Sequence, residues 1–160
     1  MIDSLVDNQT IEKILKSSKT IAMVGVSSIK KEESTNIKRR PSIIVMKYLQ
    51  EFGYKVIPVN PNAVGKEIYG EPIVFSLEDI PIPVDIVNIF RPSKETPLLA
   101  RQAVKIKAKV IWLQYGIQHE ETEKIANSAS ITCVSNKCIK QEYQRIFLKM
   151  NPVFPLLQKN

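Results

Sequence analysis

Short apolar runs alternate with segments of helical periodicity along this chain, and that alternation restricts the possible folds more than any other feature. The strand-like runs cover residues 20–26, 55–59, 85–90, 109–113 and 131–134. Short runs that are apolar throughout are typical of strands buried on both faces. Because helical patterns separate them, they predict βαβ units and a parallel sheet. Right-handed crossovers would then bring the carboxyl ends of all the strands to one edge.

The segments between these runs have the periodicity of amphipathic helices. Helices are predicted at residues 11–16, 42–52, 94–106, 120–128 and 139–147, with a short helical turn around residues 76–80. In the second helix the residues expected to face the core are Ile44, Val45, Tyr48, Leu49 and Phe52. In the third they are Leu98, Leu99, Ala103 and Ile106. Pro41 suits the first position of the second helix, and Gly53 suits its end.

These elements predict one α/β domain of three layers, Rossmann-like, with a mostly parallel sheet and helices on both faces. The length of 160 residues suits one domain, which we assign to residues 1–150, with a C-terminal tail at residues 151–160. No apolar run approaches the roughly 20 residues of a membrane span, and the acidic start lacks the basic segment of a signal peptide. The two cysteines, Cys133 and Cys138, fit a reducing compartment. We therefore expect a cytoplasmic protein.

Polar, small or turn-forming residues follow each of the first four strands. Gly25, Val26, Ser27 and Ser28 end the first strand or follow it, and Asn60-Pro61-Asn62 follow the second. Glycine lets a backbone approach a ligand closely, serine hydroxyls donate to phosphate oxygens, and the next helix points its positive end at the same place. These features predict a site for a phosphate-bearing ligand, although the glycine turn alone also fits an ordinary tight turn.

Two features of this edge argue against a dinucleotide site. The dinucleotide fingerprint requires G-x-G-x-x-G at the start of the helix, but Ser27 stands at the second glycine position. An acid at the end of the second strand would bind the adenosine ribose, but Asn60 is there instead. The P-loop pattern G-x-x-x-x-G-K-[ST] is also missing from the sequence.

Part of the net charge of +7 is concentrated between residues 27 and 40. The basic residues of this stretch are Lys30, Lys31, Lys38, Arg39 and Arg40. Such a cluster attracts anions, either nucleic acid or a phosphorylated metabolite, and an arginine there could clamp a phosphate. A solvated, lysine-rich surface explains the same charge equally well, so both interpretations stay open.

Six motifs occur in a consistent order and together resemble a known family. They are V-G-V-S (24–27), R-P-S (40–42), G-Y-K-V-I-P-V-N-P-N (53–62), L-E-D-I-P-x-P-V-D-I-V-N-I-F-R (77–91), A-K-V-I-W-L-Q-Y-G-I (108–117) and C-I-K (138–140). The chain resembles the stand-alone CoA-binding proteins, which are similar to the N-terminal domain of the succinyl-CoA synthetase α subunit. The resemblance runs from about residue 11 to residue 147. The chain departs from the sequence pattern of that family in having a longer loop at residues 29–37.

The resemblance implies that coenzyme A lies across the carboxyl ends of the strands. The implied contacts are Gly25, Val26, Ser27 and Ser28 for the phosphates or pantetheine, Asn60, Pro61 and Asn62 for the adenine nucleotide, Phe90, Arg91 and Pro92 for the adenosine side, and Leu113, Gln114 and Tyr115 for the pantetheine side. Arg40 and Ser42 match the R-P-S before the second helix.

We find no arrangement of residues in the sequence that predicts catalysis. The acids are scattered, and no pair is placed for general acid–base work. The single histidine, His119, lies in a polar turn and is expected at an exposed helix start. Cys138 is expected to be a buried small apolar residue, although an exposed, ionised thiol there could exchange with the thiol of CoA. No metal site is expected, because the soft ligands are too few.

The sequence thus predicts a non-catalytic module that binds CoA or an acyl-CoA, as a carrier or sensor. One alternative is a CoA-dependent enzyme, of the acyl-CoA ligase or transferase type, that needs a partner subunit. Another is a basic nucleic-acid-binding protein, which the few and core-like aromatic residues disfavour. No membrane partner is expected, and the apolar residues 153–157 could pair two chains in a homodimer.

Overall fold

The computed structural model describes residues 6–26 and 41–149. The helices are α1 (Asn8–Ser17), α2 (Pro41–Glu51), α3 (Thr96–Lys105), α4 (Glu120–Ser128) and α5 (Ile139–Phe147). The strands are β1 (Thr20–Val24), β2 (Lys55–Val59), β3 (Glu67–Ile68), β4 (Glu71–Pro72), β5 (Ile86–Ile89), β6 (Val110–Leu113) and β7 (Thr132–Val134). Short 3-10 turns at Leu77–Asp79 and Ser93–Glu95 complete the elements. All the main strands and helices lie within a few residues of their predicted positions.

Five strands form one parallel sheet in the order β2-β1-β5-β6-β7. The chain moves outward from β1 to β2 and then returns to the other side of β1 to form β5. The strand order therefore reverses at β1, and a crevice opens there at the carboxyl ends of the strands. This topology confirms the predicted Rossmann-like α/β fold.

Helices cover both faces of the sheet because side chains along each strand alternate between the faces. Met23 and Trp112 pack with α1, α2 and α5 in one apolar cluster. Ala22 and Ile111, one position earlier on the same strands, pack with α3 and α4 in the other. Trp112 is fully buried, and its Nε1 donates to the carbonyl oxygen of Lys137 at 2.8 Å. It lies in the core, as predicted.

The predicted core face of α2 is wrong at two positions. Ile44 is 39% exposed and Phe52 is 40% exposed, whereas Ile43 and Met46 are buried. Tyr48 lies at the edge of the core, half-buried. The helix begins with four consecutive apolar residues after Ser42, so its sequence fits more than one face. Packing against the sheet selects the face.

The predicted core face of α3 needs one correction. Leu98 is 63% exposed, and the unpredicted Ala100 is fully buried beside Ala103. Leu99 and Ile106 pack against the core as expected. The small side chains of the two alanines let the helix lie close to the sheet, and the bulkier Leu98 then points away from it.

A small antiparallel hairpin of β3 and β4 lies beside the edge strand β2, in a stretch for which the sequence analysis predicted no strand. Both residues of its turn have positive φ, 50° at Tyr69 and 83° at Gly70, as tight hairpin turns require. Val74 then forms a parallel bridge to Val59. Strands of two residues are too short to show a period of two, which is why the sequence did not reveal them.

The carboxylate of Asp85 ties the amino ends of two central strands together, at the edge opposite the crevice. Its Oδ2 accepts hydrogen bonds from the backbone N–H groups of Lys19 at 2.8 Å and Thr20 at 3.0 Å. Burial alone would raise the pKa of Asp85, but these two bonds and the ammonium group of Lys109 outweigh it and lower the pKa. The charged form is therefore the one that stabilises the fold.

Replacing Asp85 with alanine should lower the free energy of unfolding at pH 7 by about 1–3 kcal/mol, because hydrogen bonds to a charged acceptor are lost. Urea denaturation measures this loss. Since the native pKa is lowered, the contribution is present above the unfolded value of about 4 and is lost as the pH falls through the native value. Asp79→Ala, at an exposed acid whose Oδ2 accepts one bond from Ser76 Oγ at 3.2 Å, is the control. Equal losses in the two variants would contradict the role of Asp85.

Candidate ligand-binding cleft

A cleft of about 150 Å³ opens at the carboxyl ends of β1, β2 and β5. The residues that line it are Val24, Gly25, Val59, Asn60, Pro61, Asn62, Arg91, Glu95 and Leu99. This is the point where the strand order reverses, and ligands of open α/β sheets bind at such points. The structure therefore brings together three of the predicted groups, those of Gly25, Asn60 and Arg91.

Gly25 directly follows β1, in a turn that only glycine fits without strain. Its φ is +102°, in the region that side chains disfavour. A Cβ atom built there would lie 3.0 Å from Arg91 Cδ and 3.1 Å from the carbonyl oxygen of Phe90. The Gly25 N–H donates to the carbonyl oxygen of Val59 at 3.0 Å. The missing side chain thus lets Arg91 cross directly over the tip of β1.

Asn60 links the tips of β1 and β2. Its Nδ2 donates to the carbonyl oxygen of Val26 at 2.9 Å, and its Oδ1 accepts from the N–H of Asn62 at 2.9 Å. An acid in this position could accept the second bond but could not donate the first. Asn60 therefore shapes the cleft, and its neighbours Pro61 and Asn62 are exposed at the surface of the cleft.

Arg91 and Glu95, which both line the cleft, form a bidentate ion pair. Arg91 Nε donates to Glu95 Oε1 at 2.9 Å, and Nη2 donates to Oε2 at 3.0 Å. These hydrogen bonds raise the pKa of the Arg91 guanidinium and lower the pKa of the Glu95 carboxyl, so both groups are charged at neutral pH. Sequence analysis missed Glu95, although the spacing R-x-x-x-E of opposite charges in one helical turn was the available signal.

The predicted contacts at the end of β6, Leu113, Gln114 and Tyr115, lie outside the lining of this cleft. Leu113 is fully buried and Gln114 nearly so, whereas Tyr115 is 77% exposed. Gln114 Oε1 accepts from Asn88 Nδ2 and from the N–H of Ile139, each at 3.0 Å. The side chain of Gln114 therefore holds β5, β6 and the start of α5 together. Contact of these three residues with pantetheine stays a prediction.

The other predicted contacts that the structure describes are not among the residues that line the cleft. Val26 is buried in the core beside the half-buried Phe90, while Pro92 is exposed. Ser42 is buried in the first turn of α2, which begins at Pro41 as predicted. Ser27, Ser28 and Arg40 lie outside the described residues, as does the rest of the basic stretch.

The two cysteines lie in different environments. Burial raises the pKa of Cys133 to about 11, so its thiol is protonated at neutral pH. Cys138 is half-buried, directly before α5, and packs against the core. His119 lies at the start of α4, where its Nδ1 accepts from the N–H of Glu121 at 3.2 Å. Its predicted place at a helix start is confirmed, but it is half-buried rather than exposed. Within residues 6–26 and 41–149, no group of His, Cys, Asp and Glu is arranged to hold a metal ion.

A parallel sheet with its cleft at the strand-order reversal, a glycine turn and an arginine in that cleft are the features of a Rossmann-like α/β domain with a candidate ligand-binding site. Residues 19–144 match the CoA binding domain family. The chain belongs to that family, as the resemblance of its motifs indicated.

Several proteins of similar length resemble the chain over most of its length. An uncharacterised protein of Bacillus subtilis, YneT, is 38% identical over 130 residues, which is 81% of this chain and 89% of that protein. The solved structure of cell-free ID.343 from Thermus thermophilus is 37% identical with a TM-score of 0.78, covering 89% of this chain and all of that one (100%). A hypothetical protein from Pyrococcus horikoshii is 35% identical with a TM-score of 0.79, covering 91% and 99%.

None of the helices in the described part of the chain is both long enough and apolar enough to span a bilayer.

Proposed function

We propose that this protein binds coenzyme A or an acyl-CoA at the cleft, as a cytosolic, non-catalytic carrier or sensor. The observation that carries the proposal is the position of Arg91 in a member of the CoA binding domain family. Its guanidinium lies in the cleft where the strand order reverses, beside a turn that has no side chain. CoA is rich in phosphate, and arginine is the residue best suited to bind phosphate with two parallel hydrogen bonds.

The size and lining of the cleft suit one portion of such a ligand. Sites for whole ligands usually measure roughly 300–1,000 Å³, and the cleft formed by the described residues is about 150 Å³. Gly25 allows close approach of a phosphate group to the backbone, and Leu99 adds an apolar wall. We propose that Arg91 meets a phosphate of CoA and that the rest of the ligand extends along the strand tips.

The proposal of a non-catalytic role rests on the groups that the cleft offers. Among the described residues that line the cleft, the one acid is Glu95, and it is engaged with Arg91. General acid–base catalysis needs a group that can exchange a proton near the working pH, and the lowered pKa of Glu95 makes it a poor candidate. If the purified chain turned over a CoA thioester, alone or with a partner subunit, the proposed carrier role would be wrong and the protein would be an enzyme.

Calorimetric titration with CoA, NAD and ATP tests the proposed ligand. CoA should bind more tightly than the other two, and mass spectrometry of the denatured protein should detect CoA or an acyl-CoA when it copurifies. Binding of NAD or ATP in preference to CoA would refute the proposal. Salt-sensitive binding of DNA without competition by CoA would favour a nucleic-acid partner.

Arg91→Ala should weaken CoA binding at least about tenfold, because a charged hydrogen-bond donor contributes about 1.5–3 kcal/mol. Calorimetry measures the change. Since the Arg91 pair is half-exposed, thermal stability should hardly change.

Arg101→Ala is the matched control for this test. Arg101 also pairs with a glutamate at 2.9 Å, through Nη2 and Glu121 Oε2, and is similarly exposed, but it does not line the cleft. Equal CoA affinities of the two variants would show that the cleft is misplaced.

A further inference from the structure

The carboxylate of Glu95 accepts hydrogen bonds from Nε and Nη2 of Arg91, the two donors along one edge of the guanidinium. Two parallel N–H···O bonds from Nε and Nη2 to a carboxylate have the same geometry as the binding of an arginine to a phosphate. Both residues line the cleft. When a phosphate enters the cleft, the edge of the Arg91 guanidinium that could bind it in a bidentate manner is therefore already bound to the Glu95 carboxylate.

Arg91 has little freedom to avoid this conflict by moving. Its Cδ lies 3.0 Å from the position that a Cβ of Gly25 would take, so the arginine stem packs over the glycine turn. Glu95 lies in the 3-10 turn before α3, and its N–H donates to the carbonyl oxygen of Pro92 at 2.9 Å. The backbone positions of both partners are thus set by the fold, and only the ends of the side chains can separate.

The ion pair is also weak enough to be replaced. The side chains of Arg91 and Glu95 are 46% and 40% exposed, and exposed pairs of this kind contribute little to stability. The free-energy cost of breaking the pair is therefore small when a ligand phosphate binds the guanidinium. The released carboxylate of Glu95 can then be solvated by water.

We infer that Glu95 is an internal competitor for the anionic group of the ligand. In the free protein its carboxylate holds the face of Arg91 that binds phosphate, and a ligand phosphate displaces it. Glu95 thereby lowers the affinity of the cleft for anions and limits occupancy by weakly charged ones. The inference deepens the proposed function and rests on it where the ligand is CoA.

The opposite role makes an opposite prediction. If Glu95 only positioned Arg91 for the ligand, its removal would release the guanidinium and weaken binding. The sign of the change in affinity therefore distinguishes a competitor from a positioning residue.

Glu95→Gln should bind both CoA and inorganic pyrophosphate about two- to fivefold more tightly than the unchanged protein, the range expected for an exposed charge pair. Calorimetry at fixed ionic strength measures both ligands. Glu121→Gln, at the glutamate that pairs with Arg101 away from the cleft, should leave both affinities unchanged. The gain should vanish in the Arg91→Ala background, because Glu95 acts through Arg91.

Each outcome separates this inference from the proposed function. Tighter pyrophosphate binding by Glu95→Gln, with no CoA binding by any variant, would support the competitor and refute CoA as the ligand. Unchanged or weaker binding of CoA by Glu95→Gln would refute the competitor and leave CoA as the ligand. Failure of both ligands to bind any variant would overturn both proposals.

Discussion

Gly25→Ala should weaken CoA binding at least about tenfold and lower the free energy of unfolding by about 2–6 kcal/mol. A positive φ of this kind costs a side chain roughly 1–3 kcal/mol, and overpacking against a neighbour adds roughly another 1–3 kcal/mol. Because the new Cβ would lie about 3 Å from Arg91 Cδ and Phe90 O, the arginine stem and the neighbouring backbone would have to shift by a few tenths of an ångström, which displaces Arg91 from its position in the cleft. Urea denaturation and calorimetry measure the two effects.

Gly53→Ala provides a closely matched control. Gly53 has a φ of +97°, almost that of Gly25, but a Cβ built there would meet no atom within 4 Å. This variant should carry the backbone cost alone, about 1–3 kcal/mol, and should keep its affinity for CoA. If the two variants lost the same stability and both bound CoA normally, the close approach of Arg91 to Gly25 would have no role in the site.

Gln114→Ala should lower the free energy of unfolding by about 2–4 kcal/mol, since buried partners lose their acceptor and a cavity remains. Gln114 Oε1 accepts two hydrogen bonds, from Asn88 Nδ2 and the N–H of Ile139. Asn88 is fully buried in β5 and would keep only its 3.3 Å bond to the carbonyl oxygen of Trp112. Chemical denaturation measures the loss.

The exposed Gln118 is the control for Gln114. Gln118→Ala removes a solvated side chain and should change stability by less than about 0.5 kcal/mol. Similar stabilities of the two variants would contradict the role of the Gln114 network. Calorimetry on folded Gln114→Ala then tests separately whether this residue also faces pantetheine.

Local patterns were sufficient to predict the elements that form the site. Strand β2 and helix α5 have the predicted bounds, because β2 is a short apolar run between turn-forming residues and α5 is a segment of helical periodicity. The same patterns placed Gly25, Asn60 and Arg91 at the carboxyl ends of strands. Parallel topology then made their proximity predictable, although they are far apart in the sequence.

Where several local solutions had similar energies, packing made the choice. The start of α2 is apolar at four successive positions, so only contact with the sheet turned Ile43 and Met46 inward and left Ile44 exposed. In α3 the space above the sheet admitted Ala100 and excluded Leu98. Neither choice can be derived from periodicity, because periodicity describes a helix without its neighbours.

The sequence by itself determined the fold class, the order of the elements and the glycine turn with an arginine at the strand tips. These follow from backbone and hydrophobic rules that act over a few residues. Only the tertiary structure decided what each polar side chain at those tips does. It turned Gln114 inward to hold three elements together and set Glu95 against Arg91 in the cleft. The reason is physical: a hydrogen bond depends on distances of a few tenths of an ångström between segments, and the packed fold sets those distances.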